Sequence, residues 1–188
     1  MPSITLTLIR HGRTPTNESG VITGQTDVPL SAEGRAQVEE ARSQLPDGIV
    51  AIYSSTALRC QQTTEILNQD LQLPVIFTGD LWERNFGDLA GLTWEEATEK
   101  TQNPDLATLD RFQGYDYTPH GGESALQVSE RFSRVITEIR DHHKEPGSRI
   151  LVVTHGGIVR MALHFYTDQQ GLAKIPNASL HHFEFPIP

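Results

Sequence analysis

The chain has 188 residues, a formal charge of −9 and a hydrophobic content of 37%. That length suits one domain with a substantial core, and seven Phe, four Tyr and two Trp make the chain too apolar for disorder. The acidic balance argues against nucleic acid or an anionic membrane as the main partner, and no apolar run approaches the roughly 20 residues of a membrane span.

The first element is "ITLTLI" at 4–9, a β-branched run that reads as a buried strand. The stretch around it has no basic region and no small-residue cleavage site, so it does not read as a signal peptide. In "LSAEGRAQVEEARSQL", Ser31 is placed to cap a helix, and Val38, Ala41 and Leu45 recur at helical spacing. "DGIVAIYSS" reads as a turn and then a strand near 49–53. "TALRCQQTTEILNQDL" reads as a helix with Cys60, Thr63, Thr64 and Leu67 along one side, and "LPVIFT" as a third strand. Residues 80–123 are rich in Gly and Pro and read as an excursion over the sheet, with short helices near 93–101 and 104–112. Residues 124–142 form the clearest helix: Ser124 and Gln127 make a capping-box pair, and Phe132, Val135, Ile136 and Ile139 an apolar stripe. "SRILVVT" reads as a strand buried on both faces, "GGIVRMALHFY" as a helix, and "SLHHFEF" as a closing edge strand. Strands alternating with helices predict a mostly parallel sheet covered on both faces.

Ligands of open α/β sheets bind beyond the C-terminal ends of the strands. Two strands end there in His-Gly: "LIRHGR" at 8–13 and "VTHGG" at 153–157. Gly12 is expected to let the chain turn tightly. Gly156 and Gly157 are expected to leave their N–H groups open at a helix start, which suits phosphate. Arg10 and Arg13 flank His11, and Arg59 follows the second strand closely enough to reach the same edge. Arginine matches phosphate oxygens through its planar fork. Two histidines and two arginines from separate segments would thus make a cationic pocket in an acidic protein.

Other residues carry simpler readings. Cys60 is the only cysteine, so no internal disulfide forms, a reducing cytoplasm is the simplest setting, and a small core residue is its plainest role. His142, His143, His164, His181 and His182 read as structural or solvent-facing. The adjacent pairs point apart on a helix or strand, which disfavours a metal. His120, in "PHGGES", sits before a helix start, where a turn is the plainer reading and the pocket wall the alternative.

The sequence "LIRHGRTPTN" resembles the signature of the histidine phosphatase superfamily, the phosphoglycerate-mutase-like proteins. The resemblance continues in order through "TGQTDVPLSAEGRAQ", "YSSTALRCQQTTEIL", "LWERNFGDLAGLT", "HGGES" and "LVVTHGGIVRMAL", nearly the whole chain. It implies a three-layer α/β/α sandwich with a mixed sheet. It implies His11 as the nucleophile phosphorylated on a ring nitrogen, and Arg10, Arg59 and His155 as the groups holding the phosphoryl. Asn17, Thr23 and Gly24 match further phosphate contacts, Gly156 stands beside them at the helix start, and Glu83 matches the proton donor. Glu18, Asp88 and Glu123 are rival carboxylates. Arg84 is expected either to contact substrate or to lie on the surface.

Chemistry agrees with those roles. A neutral imidazole attacks phosphorus without a separate base, provided its other nitrogen is fixed as a donor. Charge gathers on the equatorial oxygens, where fixed cations lower the barrier, and an alkoxide needs an acid to leave. No metal and no cofactor is expected. The partners expected are a small phosphorylated metabolite and inorganic phosphate as product, with no nucleic acid and no membrane. A homodimer could form by pairing of the terminal strand at 180–185. The same chemistry serves a phosphatase or a cofactor-dependent mutase, and a non-catalytic phosphate-binding module is the third option. Between 85 and 123 the only basic residues, His aside, are Lys100 and Arg111, which favours the phosphatase over a mutase with a basic insertion. Substrates across the family include α-ribazole phosphate, phosphoserine, phosphoglycerates and sugar phosphates. Residues 92–122, with Trp94, Phe112, Tyr115 and Tyr117, are expected to form a lid that chooses among them.

Overall fold

The computed structural model describes residues 2–167 and 174–187. β1 (Ser3–Arg10), β2 (Ile49–Ser55), β3 (Val75–Thr78), β4 (Arg149–Thr154) and β5 (Leu180–Pro186) form one sheet in the order β3-β2-β4-β1-β5. All neighbours are parallel except β5, which runs antiparallel to β1 at the edge. The helices are α1 (Pro15–Ser19), α2 (Ala32–Arg42), α3 (Leu58–Leu71), α4 (Trp94–Thr101), α5 (Leu106–Arg111), α6 (Ala125–His142) and α7 (Gly156–Tyr166). Among the described residues, no helix is long and apolar enough to cross a membrane.

The strand order explains the layers. The chain steps outward from β1 to β2 and β3 through α2 and α3, then returns to β4 and β5 through α6 and α7. Crossovers keep one hand, so reversing direction moves the helices to the other face of the sheet. Alternation along the strands divides the core accordingly. Leu6, Leu8, Tyr53, Ile150 and Val152 pack with Val128, Phe132, Val135 and Ile139 of α6, while Ile9, Ile52, Leu151 and Val153 pack with Val38, Ala41, Cys60 and Leu67 of α2 and α3. The result is a three-layer α/β/α sandwich. Each buried Val, Leu, Ile or Phe side chain among them contributes about 1.5–3 kcal/mol.

Ser31 caps α2, and Ser124 and Gln127 form the capping box of α6. α3 has no local side-chain cap; Asp27 Oδ1 accepts from Leu58 N at 2.7 Å instead. The short α1 escaped the sequence pattern because it carries no apolar stripe. Pro15 and the Thr14–Asn17 capping box build it from local bonds alone. Residues 79–123 form a separate small core in which Phe86, Leu89, Ala97, Leu106 and Tyr117 pack with Ile22.

The backbone makes no turn or bend at Gly12, and its φ lies outside the left-handed region, so the expected tight turn is absent. Close packing is what requires glycine here. A Cβ on Gly12 would lie 2.4 Å from Gly34 O and 2.7 Å from Val38 Cγ2, and a Cβ on Gly34 only 2.0 Å from Arg13 O. The two glycines let α2 press directly against the backbone that follows β1. Gly34→Ala therefore forces backbone against backbone. It should destabilise the protein by at least about 2 kcal/mol, read as a lower urea midpoint at unchanged m-value.

Candidate active site

Parallel pairing in register sets Arg10 opposite Thr154. The next residues, His11 and His155, then stand side by side, with His11 N donating to Thr154 O at 2.9 Å and ring centroids 5.2 Å apart, edge to face. The two His-Gly strand ends thus meet. His11 Nδ1 lies 2.7 Å from Gly12 O. A carbonyl only accepts, so Nδ1 carries the proton and Nε2 keeps its lone pair. Burial holds the His11 ring well below its ordinary pKa, with Arg10 and Arg59 adding to the effect and the Gly12 bond opposing it. The ring is neutral at neutral pH.

Arg59 is 1% exposed and held on three sides. Its Nε donates to His155 Nδ1 at 3.3 Å, Nη1 to Thr26 O at 2.7 Å and Nη2 to Gly24 O at 2.9 Å. Trp82 lies under the guanidinium and stacks on the His155 ring, and its Nε1 donates to Thr56 Oγ1 at 2.6 Å. His155 is fully buried. With Nδ1 accepting from Arg59, Nε2 has the proton to donate to Ser55 Oγ at 3.0 Å. His155 therefore stands behind the cavity wall, against His11 and Arg59. Burial, then Arg59 and His11, keep it well below its ordinary pKa. Cys60 packs beside it, its thiol pushed up to about 12 by burial, consistent with a core residue.

A cavity of about 160 Å³ opens over these groups, and Arg10, His11, Asn17, Thr23, Gly24, Arg59, Glu83, Arg84 and Gly156 all reach its wall. Arg10 Nη1 donates to Ile175 O, while its Nε is buried and has no hydrogen-bond partner among the described residues. A Cβ on Gly156 would sit 3.2 Å from that Nε, so this glycine makes room for Arg10. Asn17 Oδ1 accepts from Thr14 N at 3.2 Å and Asn177 Nδ2 at 3.1 Å, which leaves its amide NH₂ for a ligand. Thr23 Oγ1 bonds Thr16 Oγ1 at 2.6 Å.

Glu83 Oε1 accepts from Arg84 N at 2.9 Å and Oε2 from Gly157 N at 3.1 Å. The N–H of Gly157, expected to face an anion, thus holds the acid instead. The backbone of the Glu83 segment is anchored from behind. Thr154 Oγ1 donates to Leu81 O, and the buried Arg131 donates to Asp80 O at 2.8 Å, Trp82 O at 2.6 Å and Glu83 O at 3.1 Å. The rivals are spoken for: Glu18 pairs with Arg13 on the surface, Asp88 with Lys100 and His120, and Glu123 with Arg131 through both oxygens. His120 is off the cavity wall.

Arg84 is neither at the surface nor free. It is 2% exposed, donating to Glu123 O at 3.1 Å and to Tyr115 O, with its guanidinium carbon 4.5 Å from the Tyr117 ring centroid. Sequence reasoning missed Asp110, Gln113 and Arg160, which also line the cavity, and Asn177, whose Nδ2 donates to His11 O at 3.1 Å. Arg160 lies four residues beyond Gly156, one helical turn from the site, and that spacing was the available signal. Among the described residues, no three His, Cys, Asp or Glu side chains gather as a metal site would require.

The chain belongs to the histidine phosphatase superfamily (branch 1), whose family model matches residues 6–186. It is 34% identical over 178 residues to a metal-independent phosphoserine phosphatase of Arabidopsis thaliana, covering 93% of this chain and 74% of that one. It is 31% identical over 182 residues to a 2,3-bisphosphoglycerate-dependent phosphoglycerate mutase of Parvibaculum lavamentivorans, covering 92% and 85%. Its fold matches that of a mycobacterial glucosyl-3-phosphoglycerate phosphatase, solved with VO3, at a TM-score of 0.82 and 29% identity, covering 95% and 91%.

Two outcomes follow. The unfolded chain protonates His11 and His155 below their ordinary value of 6.5, and the native protein, with both pKa values depressed, does not. Stability rises with pH wherever the unfolded state binds more protons, so it should fall as pH drops below 6.5. Each ring adds up to about 1.4 kcal/mol per pH unit, measurable by urea denaturation at pH 7 and 5.5, with His11→Gln showing the smaller slope. Gly157→Ala would set a Cβ 2.2 Å from Glu83 Oε1, the end of a flexible side chain. That variant should fold, with a circular dichroism melt near the parent's, and lose about tenfold or more in activity through the displaced carboxylate.

Proposed function

We propose that the protein is a phosphomonoesterase that hydrolyses a small phosphate monoester through a phosphohistidine on His11, with Glu83 as general acid and then base. The observation that carries this reading is the bare Nε2 of a neutral, fixed His11 in a cavity it shares with Arg10, Arg59 and the Glu83 carboxyl. The phosphatases among the relatives agree with it.

In the first step His11 Nε2 forms a bond to phosphorus as the ester P–O bond breaks, and protonated Glu83 gives its proton to the departing oxygen. The ring becomes positive, and the Nδ1–H bond to Gly12 O stabilises that charge. Arg10 and Arg59 hold the equatorial oxygens, supplying the charge that a metal supplies in other enzymes. His155 and the carbonyls of Gly24 and Thr26 fix Arg59 before substrate arrives, so little reorganisation remains. In the second step Glu83 takes a proton from water, the water oxygen bonds to phosphorus, and the P–N bond breaks to release phosphate. The excursion at 79–123 acts as the lid, and the small cavity favours compact metabolites over phosphoproteins.

A mutase would use the same first step and return the group to a hydroxyl instead of water. Neither Lys100 nor Arg111 reaches the cavity wall, so beyond Arg84 the excursion brings no cation there. Incubation with 3-phosphoglycerate and a bisphosphoglycerate primer separates the two: free phosphate is expected, and fast 2-phosphoglycerate formation without it would replace the hydrolase by the mutase. His11→Ala should reduce nitrophenyl phosphate hydrolysis by about 10³-fold or more, and acid quench should trap phosphohistidine in the parent only. Glu83→Gln should cost alkyl phosphates about 10²-fold or more and nitrophenyl phosphate far less, because nitrophenolate leaves without protonation. Equal losses would remove Glu83 from the acid role.

A further inference from the structure

Part of the cavity wall has no place in this mechanism. Asp110, from α5, is buried at 4% exposure and shared by two arginines. Its Oδ2 accepts from Arg160 Nη1 at 2.8 Å, and its Oδ1 lies 3.7 Å from Arg84 Nη1 and 3.1 Å from the Tyr117 hydroxyl that donates to it. Burial pushes its carboxyl up from the ordinary value, and the two arginines pull it back. One carboxylate cannot satisfy two forks. Among the described residues, Arg84 Nη1 and Arg160 Nε are both buried donors with no hydrogen-bond partner, and both residues face the cavity. Buried donors are almost always paired in a working protein, so a pair left open on one cavity wall points to a ligand.

Charge leads to the same place. The wall carries four guanidiniums, of Arg10, Arg59, Arg84 and Arg160, against the two carboxyls of Glu83 and Asp110. When Glu83 holds the proton it must donate, three positive charges remain in excess. A phosphate dianion answers two of them and leaves one.

We propose that Arg160, backed by Asp110 and Arg84, is the specificity-determining residue of the cavity and takes a carboxylate on the leaving group, so that the substrate is the phosphate monoester of a small hydroxy acid. This rests on the hydrolase reading and goes further by naming the substrate class. The fork of Arg160 is held by Asp110 in advance, and its remaining N–H groups meet an acceptor. A neutral leaving group would leave that cation desolvated without a counter-ion.

3-Phosphoglycerate and glycerol 3-phosphate differ only in a carboxylate against a hydroxymethyl group. Calorimetry on His11→Ala, which cannot be phosphorylated on that ring, compares their binding without turnover. 3-Phosphoglycerate should bind about tenfold or more tightly, and adding Arg160→Gln should bring the ratio close to one. The kcat/KM ratio of the two esters should shrink in the same way when Arg160→Gln is made alone. Asp110→Asn with Arg160→Gln removes both charges together, so no buried carboxylate loses its closer partner, and should also abolish the preference. Equal binding of the two esters by His11→Ala would overturn the proposal. So would a loss in Arg160→Gln that falls equally on both, which would place Arg160 on the phosphoryl group. Unimpaired hydrolysis by His11→Ala would instead sink the nucleophile and leave the binding ratio to decide the subsite.

Discussion

The parallel pairing of β1 with β4 is the constraint from which the site follows. Register opposes Arg10 to Thr154, so a histidine one residue later on each strand falls beside the other. Nothing in the loops could bring about this meeting so reliably, because strand register is fixed by a buried row of alternating side chains, and a slip of one residue would turn every one of them to the wrong face. Leu6, Leu8, Ile150 and Val152 on one side of the sheet, and Ile9, Leu151 and Val153 on the other, hold that register. The core and the chemistry are thus one problem: the same packing that stabilises the sheet sets the distance between the two rings.

Electrostatics completes the arrangement. A chain of net charge −9 gathers four arginines around one cavity. Each arginine is held by groups that cost little to keep buried: carbonyls for Arg59 and Arg84, a carbonyl for Arg10, and a shared carboxylate for Arg84 and Arg160. The histidines stay neutral because burial among these cations makes a further positive charge costly. The environment that suits an anion is therefore the environment that keeps the lone pair of His11 Nε2 free.

The sheet, its helices and the side chains around the phosphate end were legible because their signals are local: alternation, helical spacing, caps, and a histidine at a strand end. Ser31, Ser124 and Gln127 cap as expected, and Arg10, His11, Arg59 and Glu83 share one cavity. What was not legible depends on long-range packing. Gly12 looked like a turn and is a contact with Gly34. Gly157 looked like an anion's donor and is the donor to Glu83. Arg84 looked either exposed or substrate-facing; it reaches the cavity wall while buried among carbonyls from two distant segments. Asp110 and Arg160 carry no motif, and only folding brings α5 over α7 to form their ion pair.

Arg131 does not itself line the cavity, yet it binds the carbonyls of Asp80, Trp82 and Glu83 on one side and the carboxylate of Glu123 on the other. It is the neck that closes the long excursion at both ends. A loop whose ends are pinned loses closure entropy that grows only with the logarithm of its length, about 0.6 kcal/mol for each doubling. Segments of very different size and composition can therefore be carried above the same neck while the Glu83 carboxyl beneath stays where it is. In this architecture the excursion above the cavity is free to be rewritten, and the segment that sets the Glu83 carboxyl is not.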